Sequence, residues 1–84
     1  MEKEREFNKR LGYVLKQTRK AKKVYQPQIA RKLNVTKMTV SYWESGKNSM
    51  SAEQLKRYCD ALGVPVQYVL DQVEVEDEEY ARLS

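Results

Sequence analysis

The segment "TKMTVSYWESGK", residues 36–47, gathers side chains able to make directional contacts on one side of a short helix. Lys37, Met38, Ser41 and Tyr42 share that side, with Thr39 at its edge, while Val40 and Trp43 face the other way. An ammonium group donates hydrogen bonds, hydroxyls donate and accept them, and the methionine and the threonine methyl offer apolar contact. A methionine and a tyrosine are an odd choice for a face that meets only water. Nothing in the segment, or elsewhere in the chain, pairs a nucleophile with a base, so the chemistry on offer is recognition by contact and not bond-making.

Composition narrows the reading. Eighty-four residues allow one small domain, too short for a large cleft and the scaffold to hold it. Formal charge is +4 but unevenly spread. Residues 1–70 carry fifteen Lys/Arg against six Asp/Glu, a balance of +9, and residues 71–84 carry one Arg against six Asp/Glu, a balance of −5. A basic body suits a phosphate backbone or an anionic surface. Cys59 is the lone cysteine and histidine is absent, so an internal disulfide, a zinc cluster and histidine acid–base catalysis are excluded. The expectation is a protein with no enzymatic activity, no cofactor and no metal. No apolar run approaches the ~20 residues that span a bilayer, and "MEKEREFNKR" lacks a signal peptide's apolar centre. A cytoplasmic, nucleoid-associated location is expected.

Five helices account for the patterning. In the first, from about Glu4 to Ala21 or Lys22, the residues Phe7, Leu11, Val14, Leu15 and Thr18 form an apolar stripe at helical spacing. The second is "QPQIARKL", residues 26–33, with Pro27 in its first turn, Gln26 as cap and Ile29, Ala30 and Leu33 inward. Thr36 caps the third and Gly46 stops it. Ser51 and Gln54 make a capping box for the fourth, whose inner stripe holds Ala52, Leu55, Tyr58, Cys59 and Leu62 before Gly63 ends it. Cys59 reads as a small core residue. A short fifth helix follows Pro65, with Val66, Val69 and Leu70 inward. The domain is expected over residues 1–70, followed by an acidic tail over 71–84 that the pattern leaves open as strand, frayed helix or disordered chain.

The second and third helices are joined by "NVT", a connection short enough to make a helix-turn-helix. In that arrangement the second helix enters the major groove, roughly 12 Å wide, and its N-terminal residues meet base edges. The candidate base-reading residues are Lys37, Met38, Thr39, Ser41 and Tyr42. Lysine can donate to guanine O6 and N7, methyl groups can meet a thymine methyl, and Tyr42 can reach a phosphate or a base.

With these pieces in view, residues 11–70 resemble the Cro/CI-type (XRE) helix-turn-helix family of phage and bacterial regulators. The resemblance is carried by Arg19, "QPQIARKLNV", "TKMTVSYWESGK" and "ALGVPVQYVL", in family order and spacing. It implies an all-α, five-helix, lambda-repressor-like fold that binds double-stranded DNA. It also implies phosphate contacts from Gln26 and from the loop after Gly46, with Lys47 and Asn48. Gln28 and Thr36 join this phosphate-contacting set, Gln28 with a solvated role equally open. Arg19 and Glu44 would form a structural ion pair. The sequence departs from the family at Lys23, where glycine is usual, and at Tyr25, where a serine or threonine cap is usual; Thr18 and Met50 also differ from the common leucine and proline.

The resulting expectation is a sequence-specific transcription regulator, a repressor binding a near-palindromic operator as a homodimer. The dimer interface candidates are Val64, Val66, Tyr68, Val73 and Val75. The acidic tail has three readings: a solvated segment, an extension of the dimer interface, or a segment that binds a protein partner or weakens nonspecific DNA binding by repulsion. The rival class is an antitoxin-type or other protein-interaction module using that tail. Membrane binding through the basic first helix is disfavoured, because its apolar stripe is needed for the core.

Overall fold

The computed structural model describes the backbone of residues 2–83 and the side chains of residues 3–75. Five helices follow in order: α1 (Glu2–Ala21), α2 (Gln26–Leu33), α3 (Lys37–Ser45), α4 (Ala52–Leu62) and α5 (Val66–Leu83), with no strand among the described residues. Local chemistry sets most of the ends. Thr36 accepts from the Thr39 N–H at 3.1 Å and opens α3. Ser51 and Gln54 cap α4 reciprocally, at 3.1 and 2.9 Å. Gly46 closes α3 in the left-handed conformation, φ +78°, where a side chain would be strained.

Two ends differ from the sequence reading. Tyr25, not Gln26, is the N-cap of α2. It offers no side-chain acceptor, and the Gln28 side chain supplies half of a capping box by accepting the Tyr25 N–H at 2.7 Å. At the other end of the chain the backbone does not break at residue 70. α5 runs on through the acidic stretch to Leu83, so the domain-and-tail boundary is not a change of secondary structure. The side chains of residues 76–84, on which most of the tail's three readings depend, lie outside the described residues.

α1 packs on α3 and α5, α2 on α3 and α4, and α4 on α5. Leu11, Val14, Leu15, Ile29, Ala30, Leu33, Val40, Trp43, Tyr58, Cys59, Leu62, Val69 and Val73 form the buried core. Phe7, expected on the inner stripe of α1, is exposed. The core members of α1 begin only at Leu11. Val73 is also corrected: it is 4% exposed and belongs to the monomer core. Extending α5 by a turn beyond Leu70 places it on the same inward stripe as Val69, so it is not free to meet a second copy.

Candidate nucleic-acid interface

The outward side of α3 is built by what anchors the inward side. Val40 and Trp43 are buried, at 0% and 3% exposure. With those side chains fixed in the core, the helical repeat turns Lys37 and Met38 outward, Met38 being 62% exposed. Ser41, Tyr42 and Thr39 are half-buried beside them. The Thr39 hydroxyl is within 2.9 Å of the Thr36 hydroxyl, which also caps the helix. The Thr36 and Thr39 hydroxyls are thus engaged at the start of α3, while the Thr39 methyl, the group expected to meet a thymine methyl, takes no part in these bonds.

Lys47 leaves the end of α3 and folds back, placing Nζ 4.6 Å from the centroid of the Tyr42 ring. This cation–π contact holds an ammonium group against the outward face. The Lys47 and Asn48 N–H groups both donate to the Tyr42 carbonyl, at 3.0 and 3.3 Å. Those two backbone donors close the helix end, and the exposed side chains of Lys47 and Asn48 remain for an external partner.

At the start of α2, Gln26 is half-buried and its Nε2 donates to Glu44 Oε1 at 3.0 Å. Gln26 and Lys37 line one open cleft together with Arg19, Tyr25 and Pro27. The structure thus brings residues from the two helices of the motif to one concavity. Gln28 sits in the first turn of α2, exposed, with its side-chain Oε1 accepting from the Tyr25 N–H.

Beneath this surface lies a buried polar network. Arg19 donates from Nε to Glu44 Oε2 at 2.8 Å and from Nη2 to Oε1 at 2.9 Å, a two-pronged pair. Arg19 Nη1 also donates to the Val24 carbonyl at 2.7 Å, tying the loop before α2 to the same group. Tyr58, fully buried on α4, donates its hydroxyl to Glu44 Oε2. Burial alone would raise the Glu44 carboxyl, but the hydrogen bonds from Arg19, Tyr58 and Gln26 outweigh it and hold the group below the ordinary glutamate value. The same hydrogen bond to Glu44 raises Arg19. Sequence reasoning paired Arg19 with Glu44 by resemblance but missed Tyr58 and Gln26 as partners. A signal for Tyr58 existed: a tyrosine on an inner stripe needs somewhere to put its hydroxyl.

Comparisons with known proteins bear on this geometry. Residues 15–69, more than half of the chain, match the helix-turn-helix family. The chain belongs to the XRE-type helix-turn-helix family. Two solved structures of the clp gene regulator ClgR from Corynebacterium glutamicum resemble it. One is 30% identical with a TM-score of 0.81, covering 83% of this chain and 91% of its own. The other is 29% identical with a TM-score of 0.79, covering 92% and 88%. No curated protein matches the chain. The five-helix fold is that of the helical regulators, and family and fold are those of DNA-binding transcription regulators. Within this XRE-type frame α2 and α3 are the two helices of the motif. No helix among the described residues is long and apolar enough to cross a membrane.

Proposed function

We propose that this protein is a sequence-specific regulator of transcription that binds double-stranded DNA as a homodimer and represses by occupying its operator. The observation that carries the reading is the outward row of exposed Lys37 and Met38 and half-buried Ser41 and Tyr42, on a helix whose opposite side is fixed by Val40 and Trp43. Lys37, Met38, Thr39, Ser41 and Tyr42 read bases. Gln26, Gln28, Thr36, Lys47 and Asn48 position the phosphates on either side. The resemblance to a clp gene regulator supports regulation of genes as the role.

Dimerisation follows from energetics. One helix reads few base pairs, and each good two-pronged base contact discriminates by about 1–3 kcal/mol. Two copies related by a two-fold axis double that reading, with half-sites about 10 bp apart. Tyr68 and Val75 are exposed on α5, with Val64 and Val66 half-buried nearby, and these four make the interface.

Selecting bound duplexes from a random pool and footprinting the winner tests both parts. A two-fold symmetric protected site is expected. Equal binding of every duplex would defeat the assignment of α3 as a reading helix, and a single unsymmetric half-site would defeat the homodimer.

A further inference from the structure

We propose that Arg5 and Lys9, on the N-terminal half of α1, form with Lys47 a second phosphate-binding point that extends the DNA footprint beyond the helix-turn-helix. The proposal rests on the DNA-binding reading above and adds residues that precede the segment matched to the family.

The placement begins at Gly12. A Cβ there would lie 2.4 Å from the Trp43 carbonyl oxygen and 2.5 Å from that of Glu44. Only a residue without a side chain lets α1 cross the last turn of α3 this closely. Arg5 and Lys9 precede Gly12 by seven and three positions, so helical periodicity sets all three along one face of α1. Fixing the crossing at Gly12 therefore carries that face along the end of α3 and over the following loop. At Gly46 the approach is again tight, with a Cβ there falling 2.6 Å from the Lys9 Cα.

The product is an open cleft lined by Arg5, Lys9, Ser45, Gly46 and Lys47. Its three charged lining residues are all cations, and Arg5, Lys9 and Lys47 are all exposed. Three like charges around one concavity repel each other unless an anion lies between them. Lys47 links the cleft to the reading face, since its ammonium group also sits against Tyr42. A polyanion following Lys47 away from the α3 face would next meet Lys9 and then Arg5. The repeating phosphates of duplex DNA match that run.

A structural alternative makes a different prediction. Cations near the carbonyl end of α3 also stabilise the helix through its dipole. If that were their whole role, removing them would lower thermal stability and leave the salt dependence of DNA binding unchanged.

The test measures affinity against salt for the wild type, Lys9→Ala, the double variant Arg5→Ala/Lys9→Ala and Lys9→Arg. Each is titrated with the pool-selected duplex and with a scrambled duplex. Each cation that leaves a phosphate should flatten the log–log salt slope by about 0.9, so by about 1.8 for the double variant. The change should be equal on both duplexes, because phosphate contacts carry no sequence information. Lys9→Arg should keep the wild-type slope. Trimming the duplex flank should erase the difference between wild type and double variant. An unchanged slope in a folded double variant, verified by circular dichroism, overturns the proposal whether or not its melting temperature falls. Failure of the wild type to prefer the selected duplex would instead overturn sequence-specific reading, which separates the two outcomes.

Discussion

The Tyr58 hydroxyl donates to Glu44 Oε2 at 2.5 Å, joining α4 to the end of α3 inside the core. With Arg19 on both oxygens and Gln26 on Oε1, the carboxylate accepts four hydrogen bonds. That matches the roughly four lone-pair sites of an ionised carboxyl group. The ion pair is thereby supported by neutral partners that a count of charges does not reveal, and one of them, Gln26, reaches the proposed DNA surface.

The first prediction concerns this network. Tyr58→Phe keeps the ring and removes the donor, and should cost about 1–3 kcal/mol. Arg19→Ala or Glu44→Ala leaves a buried charge without its partner and should cost about 3–5 kcal/mol. Urea midpoints of the free protein measure both. A Tyr58→Phe variant as stable as the wild type would show that the hydroxyl does not support Glu44.

Acid should act through the same group. The folded state holds the Glu44 carboxyl below its ordinary value. Between the two values the unfolded chain binds the extra proton, so stability falls as pH falls. The contribution is complete above the ordinary glutamate value and disappears as pH drops through the lowered one. Melting temperatures across the acid range should therefore decline less steeply in Glu44→Gln than in the wild type.

Alkali acts on the neighbour of Tyr58. Burial first, and then the Asp60 charge, push the Cys59 thiol up to about 11, and Cys59 is fully buried. A chromogenic disulfide reagent at pH 8 should label the urea-unfolded chain at once and the native protein only at the rate of unfolding. Rapid labelling of the native protein would place the thiol outside the core. As pH rises past the ordinary thiol value the unfolded chain loses its proton first, so stability should fall there too.

Backbone strain at one position and a close helix crossing at another give predictions of opposite sign. Lys23 has φ +58°, the left-handed region that costs a side-chain-bearing residue roughly 1–2 kcal/mol. Lys23→Gly should raise stability by about 1 kcal/mol, less the entropy glycine adds to the unfolded chain. Gly12→Ala must force α1 away from the Trp43 and Glu44 carbonyls, with an expected loss of about 1–3 kcal/mol or more. Paired thermal melts decide both.

On the interface itself, two mutant classes should separate. Lys47→Ala should weaken all duplexes alike and flatten the salt slope by roughly one. Lys37→Ala and Tyr42→Ala should cost binding to the selected duplex more than to a scrambled one. Parallel titrations at two salt concentrations distinguish them, and indistinguishable behaviour would remove the division between reading and positioning residues.

The extent to which the sequence disclosed all this depends on the range of the interaction involved. Thr36, Gly46, Ser51 and Gln54 announce helix ends because capping acts within a few residues, and the inward set Ile29, Ala30, Leu33, Val40 and Trp43 follows from the helical repeat. Lys23 illustrates a rule read from the chain and explained by the fold. The family's glycine is missing at a position whose backbone is left-handed.

What the chain alone determined, then, was five helices, the outward side of α3 and most of the inner faces, Phe7 and Ala52 being expected inward but exposed, because these depend on neighbours within about one turn. The tertiary structure decided that Glu44 meets Tyr58 and Gln26, that Val73 belongs inside, that α5 continues through the acids, and that Arg5 and Lys9 come to lie beside Lys47. Those pairings join residues far apart in the chain, and their geometry is set by how closely helices can cross, a quantity that no local pattern contains.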